Sequence, residues 1–291
     1  MAVGLYPHPD FHRQVWQPRT LLEAWQLKQR FANQAVYVSG GTLLRIQWES
    51  GTALMPPHLI SLESLPELRR IQEDDRDIRI GSAVTLAACL RDIHTPALLK
   101  EACRNIAAPS IRNTGTLGGN IMSAAGDSLP ALLASDARLV WYDGQGTVVQ
   151  TASDWVQQKR LDSSWKEQRL LIGVKIPKKQ DTIRHFYEKL GRREAFCPSV
   201  VTIAGALQKD TDGRMVGIRL AAGSAAAAAE RLTDAENLLE GQRLSAELIQ
   251  HIHPLIVKQF DGGSDAFASG EYRRQAAANM IAAALWSLVS D

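Results

Sequence analysis

The chain has 291 residues, of which 45% are hydrophobic and 22% charged, and its formal net charge is +2 at pH 7. That is enough apolar material for one large or two ordinary globular domains, and the interspersed, nearly balanced charge excludes an extended nucleic-acid surface or a strongly acidic partner. No window approaches a membrane span and the first ten residues hold no basic segment followed by a long apolar one, so a cytoplasmic protein is expected.

Thr20-Leu21-Leu22-Glu23 has the spacing of a capping box, in which hydroxyl and carboxylate satisfy reciprocal orphan amides, and predicts an amphipathic helix to about Phe31. A strand, Ala35-Val36-Tyr37-Val38, follows and ends in the loop Ser39-Gly40-Gly41-Thr42-Leu43. Residues 69–73 and 77–81 flank the polar turn Asp74-Asp75-Arg76 as a hairpin, Thr85 opens a short helix through Arg91, and Thr95-Pro96 starts another that ends near Ala107. A second glycine-rich loop then runs from Ser110 to Asn120 and contains Thr114-Gly115-Thr116-Leu117-Gly118-Gly119-Asn120.

Beyond it, residues 129–135 read as a helix, and 137–142 with 147–151 as a hairpin about Asp143-Gly144-Gln145-Gly146. The apolar run 170–176 is a strand ended by Pro177, and Lys178-Lys179-Gln180-Asp181 is a polar link that divides a domain of residues 1–177 from one of residues 178–291. In the second domain, 199–208 and 215–222 are strands joined by Asp210-Thr211-Asp212-Gly213, and helices are expected over 233–239, 245–260 and 271–289. The alanine run 225–229 reads as the turn into the first of those helices. Strands and helices do not alternate regularly, which predicts an α+β fold rather than a doubly wound parallel sheet.

The two glycine loops carry the chemistry. Enclosing a diphosphate requires backbone donors that approach oxygen without an intervening side chain, as Gly40-Gly41 and Gly118-Gly119 allow. Ser39, Thr42, Thr114 and Thr116 add hydroxyls, and Asn120 can bond a flavin-type ring edge or its own loop. Neither loop is a G-x-G-x-x-G or a G-x-x-x-x-G-K-[ST] segment, so a Rossmann site or a P-loop is excluded. The absence of H-E-x-x-H, C-x-x-C and G-x-S-x-G removes the usual zinc, thiol-redox and serine-hydrolase readings. Cys89, Cys103 and Cys197 are too few for a four-cysteine cluster, and no metal ligand set is expected.

Arg112-Asn113-x-x-Thr116-Leu117-Gly118-Gly119-Asn120, preceded by Ser39-Gly40-Gly41-Thr42, resembles the two FAD motifs of the flavin subunits of molybdenum hydroxylases, the xanthine dehydrogenase and carbon monoxide dehydrogenase medium-subunit family. Leu170-Leu171-x-x-Val174-x-Ile176-Pro177 is similar to the strand that closes the family's flavin domain. Tyr187-Glu188-Lys189-Leu190-Gly191-Arg192-Arg193, Ser199-Val200-Val201 and Glu271-Tyr272-Arg273-Arg274 resemble its C-terminal domain. Two departures stand out: Leu43 occupies the place of the family's usual aspartate, and the segment from Asn120 to Asp127 is about two residues shorter and lacks a proline.

The resemblance implies an FAD-binding domain of the PCMH and vanillyl-alcohol-oxidase-like type followed by a smaller α+β domain. It implies that Ser39, Gly40, Gly41, Thr42 and Leu43, with Thr116, Leu117, Gly118, Gly119 and Asn120, hold FAD, and that Asp127, Leu171 and Lys189 contact it. No residue is implied as acid, base or metal ligand. The expected activity is electron transfer from [2Fe-2S] clusters of an iron–sulfur small subunit, through FAD, to NAD or another acceptor, with the molybdenum cofactor on a large subunit and xanthine or another purine as substrate. The alternatives are a stand-alone flavin oxidoreductase of the same fold and a non-catalytic assembly subunit.

Overall fold

The computed structural model of the protein describes residues 13–162, 167–178, 183–193 and 197–290. The polar link expected at 179–181 lies outside these residues, as does the N-terminal stretch before Arg13.

A small layer comes first. Strands β1 (Gln14–Trp16), β2 (Ala35–Val38) and β3 (His58–Ser61) form a parallel sheet in the order β1-β3-β2. Helix α1 (Leu21–Phe31) is capped at Thr20, whose hydroxyl accepts from the Glu23 amide at 3.1 Å, while Glu23 accepts from the Arg19 amide. Helix α2 (Thr42–Glu49) follows β2 directly, a helix that the sequence pattern did not reveal.

The larger sheet is five-stranded and antiparallel. Strands β4 (Ile71–Glu73), β5 (Asp77–Gly81), β6 (Arg138–Tyr142), β7 (Thr147–Thr151) and β8 (Leu170–Pro177) lie in the order β4-β5-β8-β6-β7. Between β5 and β6 the chain makes five short helices: α3 (Leu86–Arg91), α4 (Ala97–Asn105), α5 (Pro109–Arg112), α6 (Leu117–Met122) and α7 (Leu129–Ala134). Helix α8 (Ala152–Leu161), capped by Thr151, leaves β7 and was not anticipated. Leu117, Ile121, Leu129, Trp141, Trp155, Leu171 and Val174 meet in the core beneath these helices.

The second domain is a four-stranded antiparallel sheet of β9 (Arg184–Gly191), β10 (Ser199–Lys209), β11 (Met215–Ser224) and β12 (Ala227–Arg231), ordered β12-β11-β10-β9. Helices α9 (Thr233–Leu239), α10 (Ala246–Gln259) and α11 (Gly270–Ser290) pack with it. Strand β10 is buried along its first nine residues because α11 packs against it and α7 of the first domain does so too. An unbroken apolar run is the pattern of a strand covered on both faces. Every residue of α7 is likewise buried, as suits a helix enclosed by both domains.

The alanine run departs from expectation. Residues 227–231 are a strand rather than a turn, because Ala221 and Ala222 on β11 pair with Arg231 and Glu230 and Ala229 enters the first domain's core. Side chains this short let α7 and α8 come close to β12, a contact that composition alone does not disclose.

Candidate functional site

The first glycine segment links a strand to a helix. After β2 the backbone turns through Gly41, whose φ of +64° is a conformation that suits glycine, and α2 begins at Thr42. A Cβ built on Gly40 would lie 2.0 Å from the Thr114 carbonyl oxygen, and one on Gly115 would lie 3.4 Å from Thr42 Oγ1. The two segments, about seventy residues apart in sequence, are therefore in direct contact. Among the described residues the amides of Gly40 and Gly41 donate to nothing, and the first-turn amides of α2 have no intrahelical acceptor. They form a short run of unengaged donors at a helix N-terminus, where the backbone dipoles favour negative charge. Thr42 and Ser39 flank this run, and Leu43 is 45% exposed at its lip.

The second segment is built differently from expectation. Thr116 forms a β-bridge with Thr85 and caps α6, its hydroxyl accepting from the Gly119 amide at 3.1 Å. The Leu117 amide donates to Val84 O, the Gly118 amide to Ser82 O (both 2.9 Å) and the Asn120 amide to Thr116 O (3.0 Å). The amides of Gly118 and Gly119, expected to face an anion, are thus engaged inside the protein. Gly118 is required for another reason: a Cβ there would sit 2.6 Å from Ser82 O. Leu117 is wholly buried beneath the loop. Arg112 also turns inward, its Nη1 donating to the carbonyls of Arg104 (3.0 Å), Ile106 (3.1 Å) and Ala107 (2.6 Å), and so closes the end of α4 where Ala107 takes a φ of +51°.

Asn120 faces its own loop. Its Oδ1 accepts from the Ser128 amide (3.0 Å) and hydroxyl (2.6 Å), and Gly126 packs so closely against it that a Cβ would stand 2.4 Å from that oxygen. Further along the same loop, Asp127 is tied to the second domain. Its Oδ1 accepts from Ser199 Oγ at 2.6 Å, its Oδ2 pairs with Lys189 Nζ at 2.8 Å, and its carbonyl accepts from the Tyr187 hydroxyl at 3.0 Å. Lys189 Nζ also donates to Asn105 O, and the two charged side chains are only 9% and 12% exposed. Burial, with the nearby Asp127 charge, drives the Tyr187 hydroxyl well above the usual tyrosine range, which keeps it a neutral donor. Asp127 and Lys189, predicted separately as cofactor contacts, are therefore partners of each other. Ser128, Tyr187 and Ser199 complete this cluster; the resemblances of residues 187–193 and 199–201 pointed near it, and nothing in the sequence singled out Ser128.

Leu171 lies in the core at 5% exposure, with Leu117 and Ile121 in the same cluster. The strand that carries it packs against α6. Among the described residues no three metal-binding side chains gather, and all three cysteines are buried and unpaired in disulfides. A hydrogen bond with Cys89 and then burial push the Cys103 thiol up. No helix among the described residues is long and apolar enough to cross a membrane.

The residues present fit a diphosphate-bearing nucleotide, since the free amides cluster at the first segment and neither segment contains an acidic side chain. Known proteins with similar sequences and folds agree with this chemistry. Residues 10–179 match the family of the FAD binding domain in molybdopterin dehydrogenase, and residues 185–288 match the CO dehydrogenase flavoprotein C-terminal domain. The chain is 28% identical to the nicotine 6-hydroxylase medium subunit of Paenarthrobacter nicotinovorans, over 88% of its own length and 90% of that protein's. It is 29% identical to the xanthine dehydrogenase FAD-binding subunit of Escherichia coli O157:H7, over 82% and 84%. Its fold is similar to that of a chain of the carbon monoxide dehydrogenase of Hydrogenophaga pseudoflava, with a TM-score of 0.85, 24% identity and coverage of 95% and 98%.

Proposed function

The chain belongs to the family of FAD-binding subunits of molybdenum hydroxylases, and from that membership we propose that it binds FAD at the paired glycine segments and passes electrons between a partner's iron–sulfur clusters and a diffusible acceptor. The observation that supports the reading best is the run of unengaged amides from Gly40 into α2, packed against Thr114 and Gly115. A bound flavin supplies the capacity to take up electrons singly and release them in pairs. The protein's part is to hold and surround it. In this reading the amides of Gly40, Gly41, Thr42 and Leu43 and the hydroxyls of Ser39 and Thr42 bind the diphosphate. Thr116, Leu117, Gly118 and Gly119 support that arrangement from behind by fixing where Thr114 and Gly115 lie. Leu43, apolar at the lip, excludes water where a charged side chain would invite it. The Asp127–Lys189 pair and Leu171 position the loop that carries Asn120.

No side chain here is assigned as acid or base. The domain division falls between Pro177, where the five-stranded sheet ends, and Arg184, where the four-stranded sheet begins. The iron–sulfur clusters and molybdenum cofactor belong to partner subunits in this scheme, since three cysteines are too few for a four-cysteine cluster. NAD is the acceptor we favour. The relatives are named for nicotine, xanthine and carbon monoxide, and a purine is the substrate we favour among them. Co-expression with the partner subunits tests this reading. A complex containing FAD, iron and molybdenum, whose flavin is reduced by xanthine and reoxidised by NAD, is expected. A metal-containing complex free of flavin, or a lone yellow protein turning over an organic substrate without metal, would overturn it.

A further inference from the structure

We propose that the hydroxyls of Tyr37 and Ser82 are contacts for the flavin nucleotide, held without a protein partner at the seam where the cofactor enters. The inference rests on the reading of this site as a flavin site and adds two residues to it that neither glycine segment contains. Both hydroxyl oxygens are buried, and neither makes a hydrogen bond in the protein.

A buried hydroxyl with no partner forfeits its hydration and receives nothing in return, whereas an apolar replacement of the same shape is neutral or stabilising. Keeping such a group destabilises the empty protein. The other buried orphans have local explanations: the Nε atoms of Arg138 and Arg273 belong to guanidinium groups already engaged with Asp77 and Asp265, and the Trp141 and Trp155 N–H groups come with large rings that fill the core and have no apolar isostere among the amino acids. Tyr37 and Ser82 have no such explanation.

Their positions supply one. Tyr37 is on β2, two residues before Ser39, and its ring packs in the cluster that joins the small parallel sheet to the large one through Ala83, Leu170 and Ile172. Ser82, 3% exposed, follows β5; its amide donates to Ile172 O at 3.1 Å, and its own Cβ and carbonyl are what Gly118 packs against. One of these residues therefore stands beside each glycine segment, Tyr37 two residues before the first and Ser82 against Gly118 of the second. Burial raises the Tyr37 hydroxyl above the ordinary tyrosine range, so it stays protonated and can donate. The matching groups on the nucleotide are acceptors, namely phosphate, ribityl or ring carbonyl oxygens.

The test is FAD titration of the full-length deflavinated protein, followed by flavin fluorescence, beside thermal melts with and without FAD. Tyr37→Phe and Ser82→Ala are each expected to weaken FAD binding roughly three- to ten-fold while leaving the melting temperature of the FAD-free protein unchanged or higher. Tyr272→Phe, altering an exposed ring, is the control and changes neither. If wild type binds FAD and both variants bind it equally well, the hydroxyls serve something else and the proposal is overturned. A lower melting temperature of both variants without FAD overturns it equally, because the groups are then structural. A wild-type protein that takes up no FAD removes the flavin reading itself, and this inference with it.

Discussion

Single residues decide whether the two glycine segments can meet. Gly40→Ala would drive a methyl group to 2.0 Å from Thr114 O, against backbone that cannot swing aside, and should destabilise the protein by about 2 kcal/mol while stripping its flavin. Gly119→Ala meets only Thr116 Oγ1, at 3.1 Å, and should keep both stability and flavin near wild type. The flavin-to-protein ratio after desalting separates the two, and equal retention would mean that the Gly40 contact is unimportant. Lys189→Met removes the ammonium from a nearly buried carboxylate. An uncompensated charge of that kind costs roughly 3 kcal/mol, and pairing it with Asp127→Asn should recover much of the loss. Denaturant melts of the cycle check this; additive losses would mean that the pair is not coupled.

Among the elements, the loop between α10 and α11 offers a pH test. Asp265 accepts from the Phe267 and Ala268 amides and from buried Arg273, and the Arg273 bond, first among these, draws its pKa down to about 2. A carboxylate depressed in the folded state contributes stability that is whole above its ordinary value of 3.8 and is lost as pH falls toward 2. The stability gap between wild type and Asp265→Asn should therefore be full at neutral pH and close between about pH 4 and 2. A gap unchanged at pH 2.5 would contradict it.

Elements with strong local signals were legible in the sequence. Thr20 and Thr85 marked helix starts through their hydroxyls, the turns at Asp74 and Asp143 marked hairpins, and residues 233–239 matched α9 at both ends. What failed depended on contacts distant in sequence. Ala227–Arg231 is a strand because β11 and α7 receive it, and Gly118 is a glycine because Ser82 lies behind it. The likeness of the two glycine segments pointed to a pair that acts together, and they do meet, but it did not disclose which of their amides were already taken.

At the scale of the whole molecule, the two domains share more than a linker. Asp136 in the first domain receives Arg219 at 2.9 Å and Arg231 at 3.0 Å from the second, Arg160 pairs with Glu230, and Ala221 and Ala229 belong to the first domain's core. Calorimetry should accordingly record one cooperative unfolding transition, and two resolved transitions would show the seam to be weak. The same seam carries Asp127 and the loop holding Asn120, so the second domain helps shape the proposed cofactor site although it holds neither glycine segment. A crystal structure with FAD bound tests the central claim most directly. The diphosphate should lie within hydrogen-bond reach of the amides from Gly40 to Leu43, with Thr114 and Gly115 against its support. A nucleotide bound elsewhere, with those amides still facing water, would contradict it.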